Sequence, residues 1–134
     1  MIWKVAIQPR FTDFDNMGHL NNAVYFNYME TARMEVFTQI FGPDRDWKKL
    51  GFILRTNQIE YLQQILPKDK PEVHMFCQNI GKTSFTLGYK IIKGDVLFAE
   101  ASSVLVTFDF ETQKSIEIPA DLKIHLEASL YNSL

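Results

Sequence analysis

Cysteine occurs once in the 134 residues, at Cys77, so no disulfide can form within the chain and a reducing, cytoplasmic setting is expected. The thiol falls in an apolar stretch, "VHMFCQ". A buried structural role is expected there, because a reactive cysteine needs an accessible, electropositive niche. Positive charge is not in excess: 14 Lys and Arg stand against 16 Asp and Glu, a net charge of −2. The cationic face that a nucleic-acid backbone demands is therefore not expected. No apolar run approaches the ~20 residues that span a bilayer, so no membrane partner is expected. The first residues, "MIWKVAIQPRF", lack the apolar core and small-residue cleavage site of a signal peptide. Repeats, low-complexity tracts and linkers are lacking too. What these absences leave is a soluble, cytosolic chain read as one domain over residues 1–134, with a globular composition of 46% hydrophobic and 22% charged residues.

Within that frame the hydrophobic period changes along the chain. Residues 2–8 alternate, with Trp3, Val5 and Ile7 on one face, which predicts a first strand that Pro9 limits. From Asn22 the apolar positions Tyr25, Tyr28, Met29, Ala32, Val36 and Ile40 recur at helical spacing. Asn21 or Asn22 is a suitable N-cap, and Gly42-Pro43 is a stop signal. Val24, Phe26, Met34, Phe37 and Phe41 widen the apolar stripe, so a helix of ~20 residues, roughly 30 Å long, is expected to be largely enclosed. Strands are predicted at 52–63, 72–81, 83–93, 96–108 and 114–118, with turns at 67–71, 93–95 and 109–113 and a short helix after Pro119. Strand, long helix, then hairpin-linked strands describe an α+β domain whose antiparallel sheet covers one helix. The uncovered face and edges of such a sheet favour pairing between subunits.

The segment Thr12–Asn22, "TDFDNMGHLNN", concentrates polar chemistry just before that helix. Asp13, Asp15 and Gly18 match the first, third and sixth positions of a calcium loop, but Met17 and Val24 then occupy positions that must supply ligands. A transition-metal site fares no better, since His74 and His125 stand far from His19 and no His pair has ligand spacing. Two readings stay open. One is a polar loop that caps the helix. The other is an active site, in which the positive end of a buried helix stabilises an oxyanion beside a carboxylate acting as base or nucleophile.

The residues Arg10–Arg33, "RFTDFDNMGHLNNAVYFNYMETAR", resemble the opening signature of the 4-hydroxybenzoyl-CoA thioesterase-like branch of the hotdog fold. That signature is Asp-x-Asp, two residues, Gly-His-x-Asn-Asn-x-x-Tyr, then Glu-x-Ala-Arg on the helix. The resemblance continues through "IEYLQQILPKDK", "IGKTSFTLGYKI" and "AEASSVLVTFDFETQKSIEIP". It implies an antiparallel sheet wrapped around one long central helix, and hydrolysis of an acyl-CoA thioester without metal or organic cofactor. It further implies Asp15 as the catalytic carboxylate and a backbone N–H near Asn22 as oxyanion donor. His19 and Asn22 would line the site, with Tyr25 behind it on the substrate side. Members of this fold act as homodimers or homotetramers whose sites lie between subunits; Thr83 and Ser84 would then meet the partner's substrate and Lys82 its nucleotide phosphates. Related acyl-carrier-protein thioesterases have asparagine where this chain has Met17, which favours a coenzyme A ester. The alternatives are a carrier-protein thioesterase and a non-catalytic acyl-CoA-binding module.

Structural roles are expected for the remaining candidates. Lys82 reads equally as a solvated lysine at a strand end. Glu30 and Arg33, one turn apart, read as an ion pair. Asp13 is expected to order the loop, Phe26, Met29 and Phe37 to join the core, and His74 and His125 to pack or lie at the surface.

Overall fold

The computed structural model describes residues 1–131. Strands β1 (Trp3–Ala6), β2 (Gly51–Tyr61), β3 (Glu72–Ile80), β4 (Ser84–Lys93), β5 (Val96–Asp109) and β6 (Lys114–Ser115) accompany helices α1 (Val24–Phe41) and α2 (Ala120–Ala128). The sheet order is β1-β3-β4-β5-β2, antiparallel throughout, with β6 beside β5. The predicted strands are all present with shifted ends; β1 and β6 are shorter than expected, and the short helix predicted after Pro119 forms as α2. Among the described residues no helix is long and apolar enough to cross a membrane.

Alternation sets the core face of the sheet. Val73, Met75 and Cys77 of β3 lie opposite Ile91, Tyr89 and Leu87 of β4, and all six are buried. Burying each such side chain stabilises the fold by roughly 1.5–3 kcal/mol. Gly94, at φ 58°, makes the tight turn from β4 to β5, a conformation that costs glycine little. Helix α1 buries Tyr25, Tyr28, Met29, Ala32, Val36 and Phe37. Its C-terminus is where Gly42 places it: the Gly42 N–H donates to the Thr38 carbonyl at 2.7 Å, with φ 80°.

Two expectations about α1 are corrected. The helix is not enclosed in the single chain, because Glu30, Thr31, Glu35 and Thr38 are exposed and Met34 is 59% exposed. Nor does an asparagine cap it directly. The N-cap position is Ala23, already helical in backbone, and Asn21 acts two residues earlier by accepting the Ala23 N–H on Oδ1 at 3.0 Å.

The two edges of the sheet differ. Strand β1 pairs with only the first half of β3, Trp3 opposite Met75. Beyond it, the chain after α2 occupies the same edge: the Cys77 N–H donates to the Ser129 carbonyl at 3.1 Å, and the Tyr131 N–H donates to the Cys77 carbonyl at 2.8 Å. At the far side β2 pairs, among the described residues, with β5 alone, and Ile53 and Leu54 on it are 39% and 42% exposed.

Candidate active site

Thr12–Asn22 folds as a small hairpin. The Asn21 N–H donates to the Asp13 carbonyl at 2.9 Å, Phe14 and Leu20 form a bridge, and the Asp15 N–H donates to the His19 carbonyl at 2.9 Å. Gly18 closes the turn at φ 76°, with its N–H on the Asp15 carbonyl at 3.0 Å. A left-handed backbone at this point explains why glycine stands there. Leu20, buried, ties the returning arm to the Ile65 carbonyl at 3.2 Å. The hairpin thus sets Asp15 on one arm and delivers the other arm straight into α1.

The two aspartates, two positions apart, have opposite environments. Asp13 is buried, and its carboxylate accepts the Arg10 N–H at 2.8 Å, Arg10 Nε at 3.1 Å and the Tyr28 hydroxyl at 2.8 Å. Burial alone would raise its pKa, but the Arg10 amide, the Tyr28 hydroxyl and the Arg10 guanidinium together hold it below the ordinary carboxylate value. Burial and the neighbouring Asp13 charge hold the Tyr28 hydroxyl far above the usual phenol range, so it remains a donor. Asp13 is consumed by anchoring the loop, as expected.

Asp15 is exposed, and its Oδ1 accepts the N–H groups of Met17 at 2.9 Å and His19 at 3.2 Å. Its Oδ2 accepts no hydrogen bond from the described residues. One oxygen is therefore fixed and the other is available for chemistry. The His19 imidazole, half-buried on the same turn, has no hydrogen-bond partner among the described residues.

At the exit of the hairpin the Asn22 N–H has no acceptor among the described residues, and it lies at the positive end of α1. The Asn22 carbonyl accepts the Tyr61 hydroxyl at 2.9 Å, and the Tyr61 ring stands edge-on to Tyr25 at 4.9 Å between centroids. Tyr25 itself is buried, behind Tyr61 and the helix start. Tyr61 escapes a reading of the sequence, because a tyrosine at a strand end has no distinguishing spacing. Thr83 and Ser84 are half-buried in the turn from β3 to β4, where the Thr83 carbonyl accepts the Thr107 N–H at 2.8 Å. Lys82 is exposed, with Glu117 at 3.5 Å. Through the registers Ser84–Val106–Ile53 and Ile91–Ala99–Tyr61, that turn lies at the opposite end of the sheet from Tyr61. Seven residues of β4 separate the two ends, roughly 23 Å. Within one chain, Lys82, Thr83 and Ser84 do not join Asp15.

The remaining candidates are structural. Cys77 is buried, and burial pushes its thiol up to about 11. His125 packs edge-on to Phe41, and His74 sits 3.8 Å from Glu72. The expected Glu30–Arg33 pair is absent among the described residues: Glu30 is exposed, whereas Arg33 turns into the core and donates from Nη1 to the Tyr89 hydroxyl at 3.0 Å.

Comparison with known proteins gives the fold and the family of the chain. The Bacillus subtilis protein YsmA, itself uncharacterized, is 27% identical over 122 residues, 85% of this chain and 82% of the relative. The structure of a predicted thioesterase from Bacillus stearothermophilus superposes with a TM-score of 0.89 at 28% identity, covering 99% of both chains. A thioesterase from Thermus thermophilus, crystallised with coenzyme A and Zn, superposes with a TM-score of 0.81 at 28% identity, covering 98% of this chain and 96% of that one. These neighbours share the antiparallel sheet and the two helices of a hotdog fold. The family model described as the thioesterase-like superfamily matches residues 9–126, from just before the hairpin to the last turn of α2, and the chain belongs to that superfamily.

Proposed function

We propose that the protein hydrolyses acyl-CoA thioesters, with Asp15 as nucleophile or general base and the Asn22 backbone N–H as oxyanion donor. The observation that carries this reading is the hairpin: it holds one oxygen of an exposed carboxylate and leads directly to an unpaired amide at a helix N-terminus. Oxyanion stabilisation by such a preorganised amide lowers the barrier to attack on a carbonyl, and a positioned carboxylate supplies the attacking group or activates water. Water and thioester yield carboxylate and free thiol, a reaction that needs no electron carrier. Coenzyme A as the thiol is supported by the Thermus relative and by Met17, where carrier-protein enzymes place asparagine.

The site is completed by a second copy. Strand β2 is an exposed edge of 11 residues. Antiparallel pairing with another β2 sets the Gly51 end of one chain against the Tyr61 end of the other, and so carries the partner copy's turn from β3 to β4 toward the hairpin. On that arrangement Thr83 and Ser84 contact substrate across the interface and Lys82 meets the nucleotide phosphates. Tyr25 shapes the acyl side from behind.

Asp15→Asn tests the reading. Hydrolysis of an acyl-CoA panel should fall by at least about a hundredfold, with fold and oligomer unchanged. Full thiol release by this variant removes Asp15 from the mechanism. His19→Ala should lose less; an equal loss assigns the chemistry to the histidine. Tight acyl-CoA binding by the wild type without turnover favours a binding module, and faster turnover of matched carrier-protein esters favours that substrate class.

A further inference from the structure

Arg33 is 7% exposed on α1, and the groups it meets are neutral. Its Nη1 donates to the Tyr89 hydroxyl at 3.0 Å and, at 3.5 Å, to Ser103 Oγ. The Ser103 hydroxyl proton is committed elsewhere, to Asn57 Oδ1 at 2.6 Å. Among the described residues no carboxylate lies within 4.0 Å of the guanidinium. A buried cation with only neutral partners is costly unless something anionic completes it.

The donor inventory shows where that something binds. A guanidinium carries five N–H groups. Two belong to Nη1 and face Tyr89 and Ser103; the N–H groups of Nε and Nη2 have no acceptor among the described residues. Those atoms are not sealed in, because the buried polar atoms without partners are Arg45 Nε and His74 Nε2. Arg33 lines a groove of about 410 Å³ between α1 and β2, walled by Met34, Phe37, Phe52, Leu54 and Leu105; the exposed Glu30 also lines it but lies more than 4.0 Å from the guanidinium. The Nε–Nη2 edge is the one that grips a carboxylate through two parallel hydrogen bonds.

The groove follows a seam that begins at the proposed oxyanion site. At one end Tyr61 of β2 meets Asn22 and Tyr25; at the other Phe52 of β2 meets Phe37, ring centroids 4.9 Å apart. Arg33 lies between them, 11 residues along the helix from Asn22, or roughly 16 Å. We infer that Arg33 is a specificity-determining residue, and that the acyl groups accepted carry a carboxylate at the end remote from the thioester. The inference rests on the thioesterase reading for the thioester end; the anion site itself stands on the unpaired guanidinium edge.

The experiment compares CoA esters of dicarboxylic acids with CoA esters of monocarboxylic acids of the same chain length, from short to long. Wild type should show kcat/KM at least roughly tenfold higher for the carboxy-terminated ester at its best length. Arg33→Gln should abolish or reverse that preference while keeping turnover of the methyl-terminated ester. Arg33→Lys, which keeps the positive charge but lacks the two-pronged Nε–Nη2 edge, should remove most of the preference as well, and it serves if Arg33→Gln does not fold. Equal rates on both ester series by wild type, or a preference that survives both substitutions, overturns the proposal and leaves the hydrolase intact. If no ester is turned over, the hydrolase reading alone fails. Thermal protection of wild type by free hexanoate but not by hexanamide, lost in Arg33→Lys, then supports the anion site, and equal protection by the two overturns it.

Discussion

Replacing Tyr28 with phenylalanine removes one oxygen from the buried end of the candidate active-site loop. That oxygen donates to the Asp13 carboxylate at 2.8 Å, and Asp13 is 1% exposed. The remaining donors all come from Arg10, whose side chain is 72% exposed and contributes little as an ion pair in water. A hydrogen bond from a neutral donor to a buried charge contributes about 1.5–3 kcal/mol. Tyr28→Phe should therefore lower stability by that amount at neutral pH, a fall in Tm of about 5–10 °C for a chain of this length. The effect has a definite pH dependence. The folded-state pKa of Asp13 lies below its ordinary 3.8, so its stabilisation is fully present above 3.8 and is lost as pH falls through the lower folded value. Without the Tyr28 hydroxyl that folded value rises, so less stability is lost on acidification and its loss is complete at a higher pH. Differential scanning calorimetry at pH 7 and pH 3 separates the cases: the gap between wild type and variant should be widest at pH 7 and should narrow at pH 3. An equal gap at both values, or one under about 0.5 kcal/mol, refutes the assignment of Asp13 as an anchored charge.

Other expectations follow from the same geometry. Cys77 should resist a thiol reagent at pH 8 in the native protein and react stoichiometrically after denaturation, since burial pushes its thiol to about 11; rapid native labelling contradicts this. Ile53→Lys puts a charge on the exposed β2 edge and should yield a monomer by sedimentation, with hydrolysis falling alongside. An active monomer would show that one chain holds a complete site.

The sheet is legible in the sequence because its signals are local. Alternation on β3 and β4, glycine at the turn after Lys93 and the stop at Gly42-Pro43 each act within a few residues of where they are read. The helix start is legible only approximately: Asn21 has the right chemistry for a cap, but pairing with Asp13 in the hairpin shifts its role two residues upstream. Asp13 and Asp15 are indistinguishable by type. What separates them is the approach of Tyr28, 15 residues away, to one and not the other. Spacing misreads Arg33 for the same reason. A glutamate one turn earlier suggests a surface pair, while its actual partners, Tyr89 and Ser103, lie 56 and 70 residues further on. Long-range neighbours are set by the packing of the whole chain, which residue spacing does not report. The bare side of α1 at Met34 is equally hidden, because an apolar residue that faces the core and one that stays exposed look alike in a sequence.

The two sheet edges impose a rule on assembly. A sheet bare on both sides can add copies without limit, each new chain presenting a fresh edge to the next. Here β1, four residues long, and residues 129–131 share out one flank of β3, whereas β2 offers an edge of 11 residues on the other side. When two such edges meet, each satisfies the other. On the proposed β2 pairing, the seam that gathers the catalytic groups would also close the longer of the two edges, leaving only the short β1 side for further strand-by-strand growth.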